Sequence, residues 1–391
     1  MGSIATEVLR RIRKVLPHPD RFYALHEPTF AGNELEYVSE CIKMGWVSSA
    51  GKFVDRIEGQ LADYVGVKRA VAVVNGTAAL QISLVASGLQ PGDEVLTPTL
   101  TFVATANAIV HAGGSPHFVD TAEDSLNIDP AGVAEYLAEV ATVSDGVCRN
   151  KKTGRRIFAI IPVHIFGHAC EIDRFAAVAD QYRLVLIEDI AEGLGTWFQG
   201  RHVGKFGKLA ALSFNGNKIV TTGGGGAVLT DDDKLADRIK HLTTTAKLPH
   251  RWEYAHDCVG YNFRMPNLNA ALGCAQLEQM DSFLAKKRTL ADRYAEAFDG
   301  LDEVRFIREP EGCRSNYWLN AICLTEPQKT VRDEVLQALN DQKIQCRPTW
   351  KLLHTLPMYA DAPRADIDYA MLHEAAVINV PSSPFLVDGK E

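Results

Sequence analysis

Between about residue 70 and residue 230 the chain alternates between two hydrophobic patterns, and few architectures accommodate that. Short, nearly continuous apolar runs lie at 70–74, 94–98, 117–120, 157–163, 184–188, 209–214 and 227–230. Such runs read as strands covered on both faces. Helical spacing fills the intervals 77–87, 104–111, 131–140 and 172–182. Strands alternating with helices predict an α/β domain built on a mostly parallel sheet. The polar segment 141–156, ATVSDGVCRNKKTGRR, reads as an exposed loop or insertion. A long helical pattern over 267–299 leads into a smaller α/β piece that starts near residue 300. The expected plan is an N-terminal extension (1–30), a large domain with a mostly parallel seven-stranded sheet (31–285) and a small C-terminal α/β domain (286–391).

Composition narrows the function classes. With 46% hydrophobic residues in 391, the chain can bury a core of that size. Its 41 basic and 49 acidic residues give a formal net charge of −8, which offers no general attraction to nucleic acid or an anionic membrane. An anionic ligand therefore needs a local site. No run approaches the ~18–20 apolar residues of a membrane span. The N-terminus, MGSIATEVLRRIRKVLPHPD, is basic and reads as a short amphipathic helix, without the apolar stretch and small-residue cleavage site of a secretory signal; surface decoration or subunit contact is the expected role. The eight cysteines form no C-x-x-C pair and no histidine cluster accompanies them at zinc spacing. Reduced thiols in a cytoplasmic protein, with no metal site, are expected.

In an open α/β sheet ligands sit beyond the carboxyl ends of the strands, so the residues just after each run carry the chemistry. Asn75-Gly76-Thr77 follows the first run. Free N–H groups and a hydroxyl at a helix start can cradle a phosphate, though an ordinary turn capped by Thr77 reads the same. Asp189 follows the fifth run. A buried acid there needs a partner: a protonated pyridine nitrogen or simply loop amides. Lys218 follows the sixth run on a tight loop, before four glycines (Gly223, Gly224, Gly225, Gly226). A desolvated lysine is a Schiff-base candidate; most lysines are only surface charges. Phe102, after the second run, can stack on a flat ring or fill the core. Neither a G-x-x-x-x-G-K-[ST] loop nor a G-x-G-x-x-G after the first strand is present, which disfavours P-loop and Rossmann dehydrogenase readings.

The order of these signals matters more than any one of them. GWVSSAGKFVDRIE (45–58), VNGTAAL (74–80), PTLTFVATANAI (98–109), PVHIFG (162–167), IEDIAEGLG (187–195), SFNGNKIVTTGGGG (213–226) and GYNFRMPNLNAALGCAQL (260–277) together resemble the DegT/DnrJ/EryC family of sugar aminotransferases. The resemblance runs from about residue 25 to 384. It implies the type I pyridoxal phosphate-dependent transferase (aspartate aminotransferase-like) fold and pyridoxal phosphate as cofactor. By position, Lys218 matches the Schiff-base lysine and Asp189 the acid that keeps the pyridine nitrogen protonated. Phe102 matches the stacking aromatic, and Gly76, Thr77 and Ser213 the phosphate ligands. Glu192 falls where relatives have a polar group, often Gln, near the ring hydroxyl. Asn262 matches an asparagine that reaches the phosphate from a neighbouring subunit, which implies a homodimer with shared active sites. The four-glycine run departs from the G-E-G-G of many relatives, so no role of that glutamate carries over. A lysine rather than a histidine at 218 speaks for transamination over dehydration.

For the substrate, CRPTW (346–350), KLLHTLPMY (351–359) and NVPSSP (379–384) are similar to the LegC-like subgroup. That resemblance implies transfer, with glutamate as donor, to C4 of a UDP-linked 4-keto-6-deoxy-N-acetylhexosamine, a sugar for surface glycans such as O-antigen or legionaminic acid. A GDP-perosamine synthase-like 4-aminotransferase is the alternative. A 3-aminotransferase and a cofactor-binding regulatory protein without turnover stay open beside it. Candidate substrate contacts are Trp46, His164, Tyr317, Arg347 and His354, with Trp318 and Trp350 as further aromatics; packing explains each of them equally well.

Overall fold

The structure is a computed structural model that describes residues 3–388. Seven strands form the main sheet: β1 (Arg69–Val73), β2 (Glu94–Pro98), β3 (Ser115–Val119), β4 (Ile157–Ile160), β5 (Val185–Asp189), β6 (Leu209–Ser213) and β7 (Gly226–Thr230). Their spatial order is β1-β7-β6-β5-β4-β2-β3. β7 runs antiparallel to both its neighbours, β1 and β6, and every other pair is parallel. Parallel neighbours need a crossover, usually a helix, whereas antiparallel ones can be joined by a loop. The loop that returns β6 to β7 carries Lys218.

Helices Gly76–Ser87, Ala104–His111, Pro130–Val140, Ile172–Tyr182 and Asp233–Thr243 flank the sheet. Every residue of β2 and of β7 is consequently buried, which accounts for runs that are apolar without alternation. β3 begins two residues earlier than its apolar run and takes Pro116 into the ladder. An edge strand tolerates a proline there, and β3 is the edge. β4 stops before Pro162, and Val163 returns only as an isolated bridge to Asp189.

Two stretches differ from their sequence reading. Residues 141–156 are a docked hairpin rather than a free loop: Ala141–Ser144 pairs with Val147–Asn150. Asp145 and Gly146 turn it with φ of 52° and 74°, the conformation two-residue hairpins favour. Asn150 Nδ2 and Thr153 Oγ1 donate to buried Glu94 at 2.9 and 2.6 Å, and Arg156 pairs with Asp93. The 267–299 pattern is two helices, Asn267–Leu277 and Met280–Phe298.

A second hydrophobic core lies around the four-stranded sheet formed by Val304–Phe306, Asn320–Leu324, Val377–Val380 and Arg347–Pro348. The N-terminal helix, Ile4–Val15, belongs to it. Val8, Ile12 and Val15 are buried there. Arg11 donates to Ala297 O and Asp299 O at 2.8 and 2.7 Å, satisfying carbonyls at the end of helix Met280–Phe298. This helix thus packs on its own chain instead of decorating the surface. No helix among the described residues is long and apolar enough to cross a membrane.

Candidate active site

The carboxyl ends of β1, β5 and β6 open on one cavity of about 340 Å³. One end is lined by Asn75, Gly76, Thr77, Ser213 and Asn215. Asn75 starts helix Gly76–Ser87: its backbone is extended and its Oδ1 accepts the N–H of Ala78 at 2.8 Å. The N–H groups of Gly76 and Thr77 precede any helix carbonyl that reaches them, so the dipole and the donors favour an anion at this end. A Cβ at Gly76 would sit 2.8 Å from Cβ of Ser213. Glycine is what lets the helix start and the serine hydroxyl share this wall.

Asp189, the last residue of β5, is buried at the floor. Thr105 Oγ1 donates to its Oδ2 at 2.8 Å and Ala191 N–H to its Oδ1 at 3.1 Å. Burial raises its pKa, against the pull of those two donors and of Lys218. Glu192 follows on the same loop. Its Oε2 accepts the N–H of Phe166 at 2.8 Å, and its Oε1 lies 3.2 Å from Lys218 Nζ. Burial raises this carboxyl too, with the Lys218 charge opposing. Lys218 enters from the β6–β7 return, its Nζ 3.7 Å from the centre of the Trp318 ring. Phe102 lines the same cavity with 54% of its surface exposed, which removes the core-filling reading. Its ring is 6.5 Å from that of Trp350.

Gly76, Thr77, Phe102, Asp189, Glu192, Ser213 and Lys218 are therefore brought to one cavity, with Trp318 and Trp350. Other sequence candidates lie off its lining. His164 is buried behind the floor: its Nδ1 accepts the N–H of Cys170 at 3.1 Å and its Nε2 is 3.4 Å from Glu188. Tyr317 is buried with its hydroxyl accepting the N–H of Glu309 at 3.1 Å. His354 pairs through Nδ1 with Thr99 Oγ1 at 2.7 Å. Arg347 is exposed on an edge strand of the small sheet. Trp46 is exposed beside a separate cavity of about 390 Å³. Asn262 is exposed on a segment bridged to Thr244. Sequence reasoning missed Thr105, which stands three residues after Phe102 in the first turn of its helix; that spacing was its one signal. Asn217 was also missed. Its carbonyl accepts the Trp318 indole N–H at 2.7 Å, a contact between residues 101 positions apart.

The model of the DegT/DnrJ/EryC1/StrS aminotransferase family matches residues 28–390. The chain belongs to this family. A GDP-perosamine synthase from Vibrio cholerae is 38% identical over 365 residues, covering 93% of this chain and 95% of that one. Among solved structures, the aminotransferase TlmJ from Streptoalloteichus hindustanus superposes with a TM-score of 0.83 at 26% identity, over 93% of this chain and 94% of that one. DesI, solved in the presence of its TDP-sugar product, gives 0.81 at 28% identity, over 93% and 88%.

DegT-family aminotransferases use pyridoxal phosphate, and the residues of this cavity fit that group. The bare-backbone end, with two helix-start N–H groups and a hydroxyl, is a donor set for a phosphate. Among the described residues the Asp189 carboxylate forms no ion pair; Thr105 and Ala191 hold it, and a protonated ring nitrogen would supply the cation. The exposed phenylalanine at the mouth provides a face for a flat ring.

Proposed function

We propose that this chain is a nucleotide-sugar aminotransferase in which Lys218 carries the cofactor. The observation that supports this most is the seating of one lysine amine beside a buried carboxylate, in a cavity with an anion-seeking end and a second buried acid at its floor.

Bound there, pyridoxal phosphate supplies a sink for the electron pair left when the donor's Cα–H bond breaks. Gly76, Thr77 and Ser213 hold the phosphate, and Phe102 covers the ring. Asp189 keeps the ring nitrogen protonated; Thr105 and Ala191 fix that carboxylate in place. Glu192 faces the ring hydroxyl. Lys218, when its amine is free, would take the proton from the donor's Cα and hand it back as general base and acid. The same residues would serve the reverse proton transfers on the keto-sugar, whose carbonyl oxygen leaves as water while its carbon receives the amino group.

Asn262, exposed and away from its own chain's cavity, fits a contact to the neighbouring subunit's phosphate, so we take the working unit to be a homodimer. Glutamate is the proposed donor and C4 of a 4-keto-6-deoxy sugar the proposed acceptor. For the nucleotide there are two readings. The likeness to a GDP-perosamine synthase favours a GDP-linked sugar. The CRPTW and NVPSSP segments, LegC-like in character, favour the UDP-linked N-acetylhexosamine.

The test is an absorption spectrum of the protein with pyridoxal phosphate, then with glutamate, then with each keto-sugar. A near-visible band that glutamate bleaches and a keto-sugar restores, absent in Lys218→Ala, is expected. Restoration by the GDP-linked or the UDP-linked sugar alone decides between the two nucleotides. A wild-type protein with no band overturns the reading.

A further inference from the structure

Two side chains, Glu192 and Trp318, form a seat for the Lys218 amine among the described residues. Glu192 Oε1 lies 3.2 Å from its Nζ on one side. On the other the Trp318 ring centre is 3.7 Å away, well inside the distance at which an ammonium is attracted to an indole face.

Trp318 is fixed at three points. Its N–H donates to Asn316 Oδ1 at 2.7 Å and its indole N–H to Asn217 O at 2.7 Å. Its carbonyl accepts from Lys287 Nζ at 2.7 Å. Lys287 is fully buried and its other recorded bond, at 2.6 Å, is also to a carbonyl, that of Ser382. Burial lowers the pKa of this amine well below the usual lysine range, and one of the two carbonyls to which it donates is that of Trp318, whose backbone it holds in place. The two sides of the seat are also tied to each other: Asn316 Nδ2 donates to Glu192 O and Leu194 O at 2.7 and 2.8 Å. The indole and the carboxylate thus keep one spacing, set by Asn316.

We propose that Trp318 is a positioning residue that, with Glu192, holds the Lys218 amine whenever its nitrogen is not bonded to the cofactor. The inference rests on the cofactor reading above. When the lysine attaches, its nitrogen bonds to the aldehyde carbon and the aldehyde oxygen leaves as water, so the nitrogen no longer offers a free ammonium to the seat. When the amine form of the cofactor is bound, Lys218 remains a free amine and keeps it. The seat therefore favours the half of the cycle in which Lys218 is available to carry a proton, and it keeps that amine from swinging into bulk water.

The test compares the affinities of the cofactor-free protein for pyridoxal phosphate and pyridoxamine phosphate by calorimetry, in wild type, Trp318→Leu and Trp318→Phe. Lost wall contacts weaken both ligands alike and cancel in the ratio. Losing the seat favours only the form that bonds Lys218. In Trp318→Leu the preference for pyridoxal over pyridoxamine phosphate is expected to rise about five- to thirtyfold, the factor a partly to fully desolvated cation–π contact supplies. Trp318→Phe, which keeps an aromatic face, shifts it less and covers the case in which the leucine variant does not fold. A ratio unchanged in both variants while both ligands bind removes the seat and leaves the cofactor reading standing. A wild-type spectrum with pyridoxal phosphate that matches Lys218→Ala removes the cofactor reading itself.

Discussion

Asp189 shows how a single side chain records function as a local fault in stability. Its carboxyl is buried, accepts hydrogen bonds from Thr105 and Ala191, and has its pKa raised by burial against the pull of those donors and of the Lys218 charge. A carboxyl whose folded pKa is raised adds stability below its unfolded pKa. That stability is lost as pH rises through the folded value. At neutral pH the cofactor-free protein therefore carries a charge it disfavours. Asp189→Asn removes that charge and keeps the shape. The cofactor-free variant is expected to melt above the cofactor-free wild type at neutral pH, by on the order of 1 kcal/mol, with the gap closing as pH falls toward the unfolded carboxylate range. In the same variant pyridoxal phosphate binds more weakly, because the ring nitrogen loses its anionic partner. Thermal scans across pH check the first effect and spectral titration the second; a variant less stable than wild type at neutral pH contradicts the argument.

At the scale of the element, glycine substitutions separate a structural helix from a helix that begins a site. Gly59 lies exposed in the interior of Lys52–Val65, and a Cβ there meets nothing. Gly59→Ala is expected to stabilise the fold by up to ~1 kcal/mol, the ordinary helix preference. Gly76 begins Gly76–Ser87, and its Cβ meets Ser213. Gly76→Ala must push apart the two pieces that cradle the anion, so cofactor affinity falls by about tenfold or more, the loss of roughly one charge-assisted hydrogen bond. Chemical denaturation and cofactor titration of both variants separate the effects. Elements also mark the limit of what the chain discloses by itself. The seven apolar runs gave the strands because two-sided burial writes itself into composition, and the residues following them gave Lys218, Asp189 and Gly76. The reversal of β7 left no trace, since an apolar run has no direction. The hairpin over 141–150 turns on Asp145-Gly146, a local signal that the reading of 141–156 as a loop or insertion leaves unused. Trp318 against Lys218 depends on two distant segments meeting, which no local pattern encodes.

At the scale of the whole molecule, one chain holds a cavity with every proposed cofactor ligand except Asn262. Several large apolar side chains also stay exposed: Met44, Trp46 and Val47 on one segment, and Trp252, Tyr254 and Val259 on the segment that leads to Asn262. Isolated exposed hydrophobics need no explanation, but several clustered within each of two short stretches of sequence fit a surface covered by a partner subunit. In the proposed two-fold homodimer any contact made by one subunit is returned by the other, so Asn262 of each subunit would serve the cavity of its partner. Subunit mixing tests this directly. Lys218→Ala and Asn262→Ala are each expected to lose most activity as pure dimers. In a dimer holding one of each, one cavity joins a native Lys218 to a native Asn262 from across the interface, while the other cavity carries both lesions. Random assortment makes about half the dimers mixed, and each has one sound site of two, so roughly a quarter of wild-type activity returns on co-expression. If Asn262 instead serves its own cavity, every site in a mixed dimer keeps one lesion and no activity returns beyond the mean of the two variants. Recovery measured after co-expression, against the same variants mixed without dissociation, therefore reads out both the dimer and the direction in which Asn262 reaches.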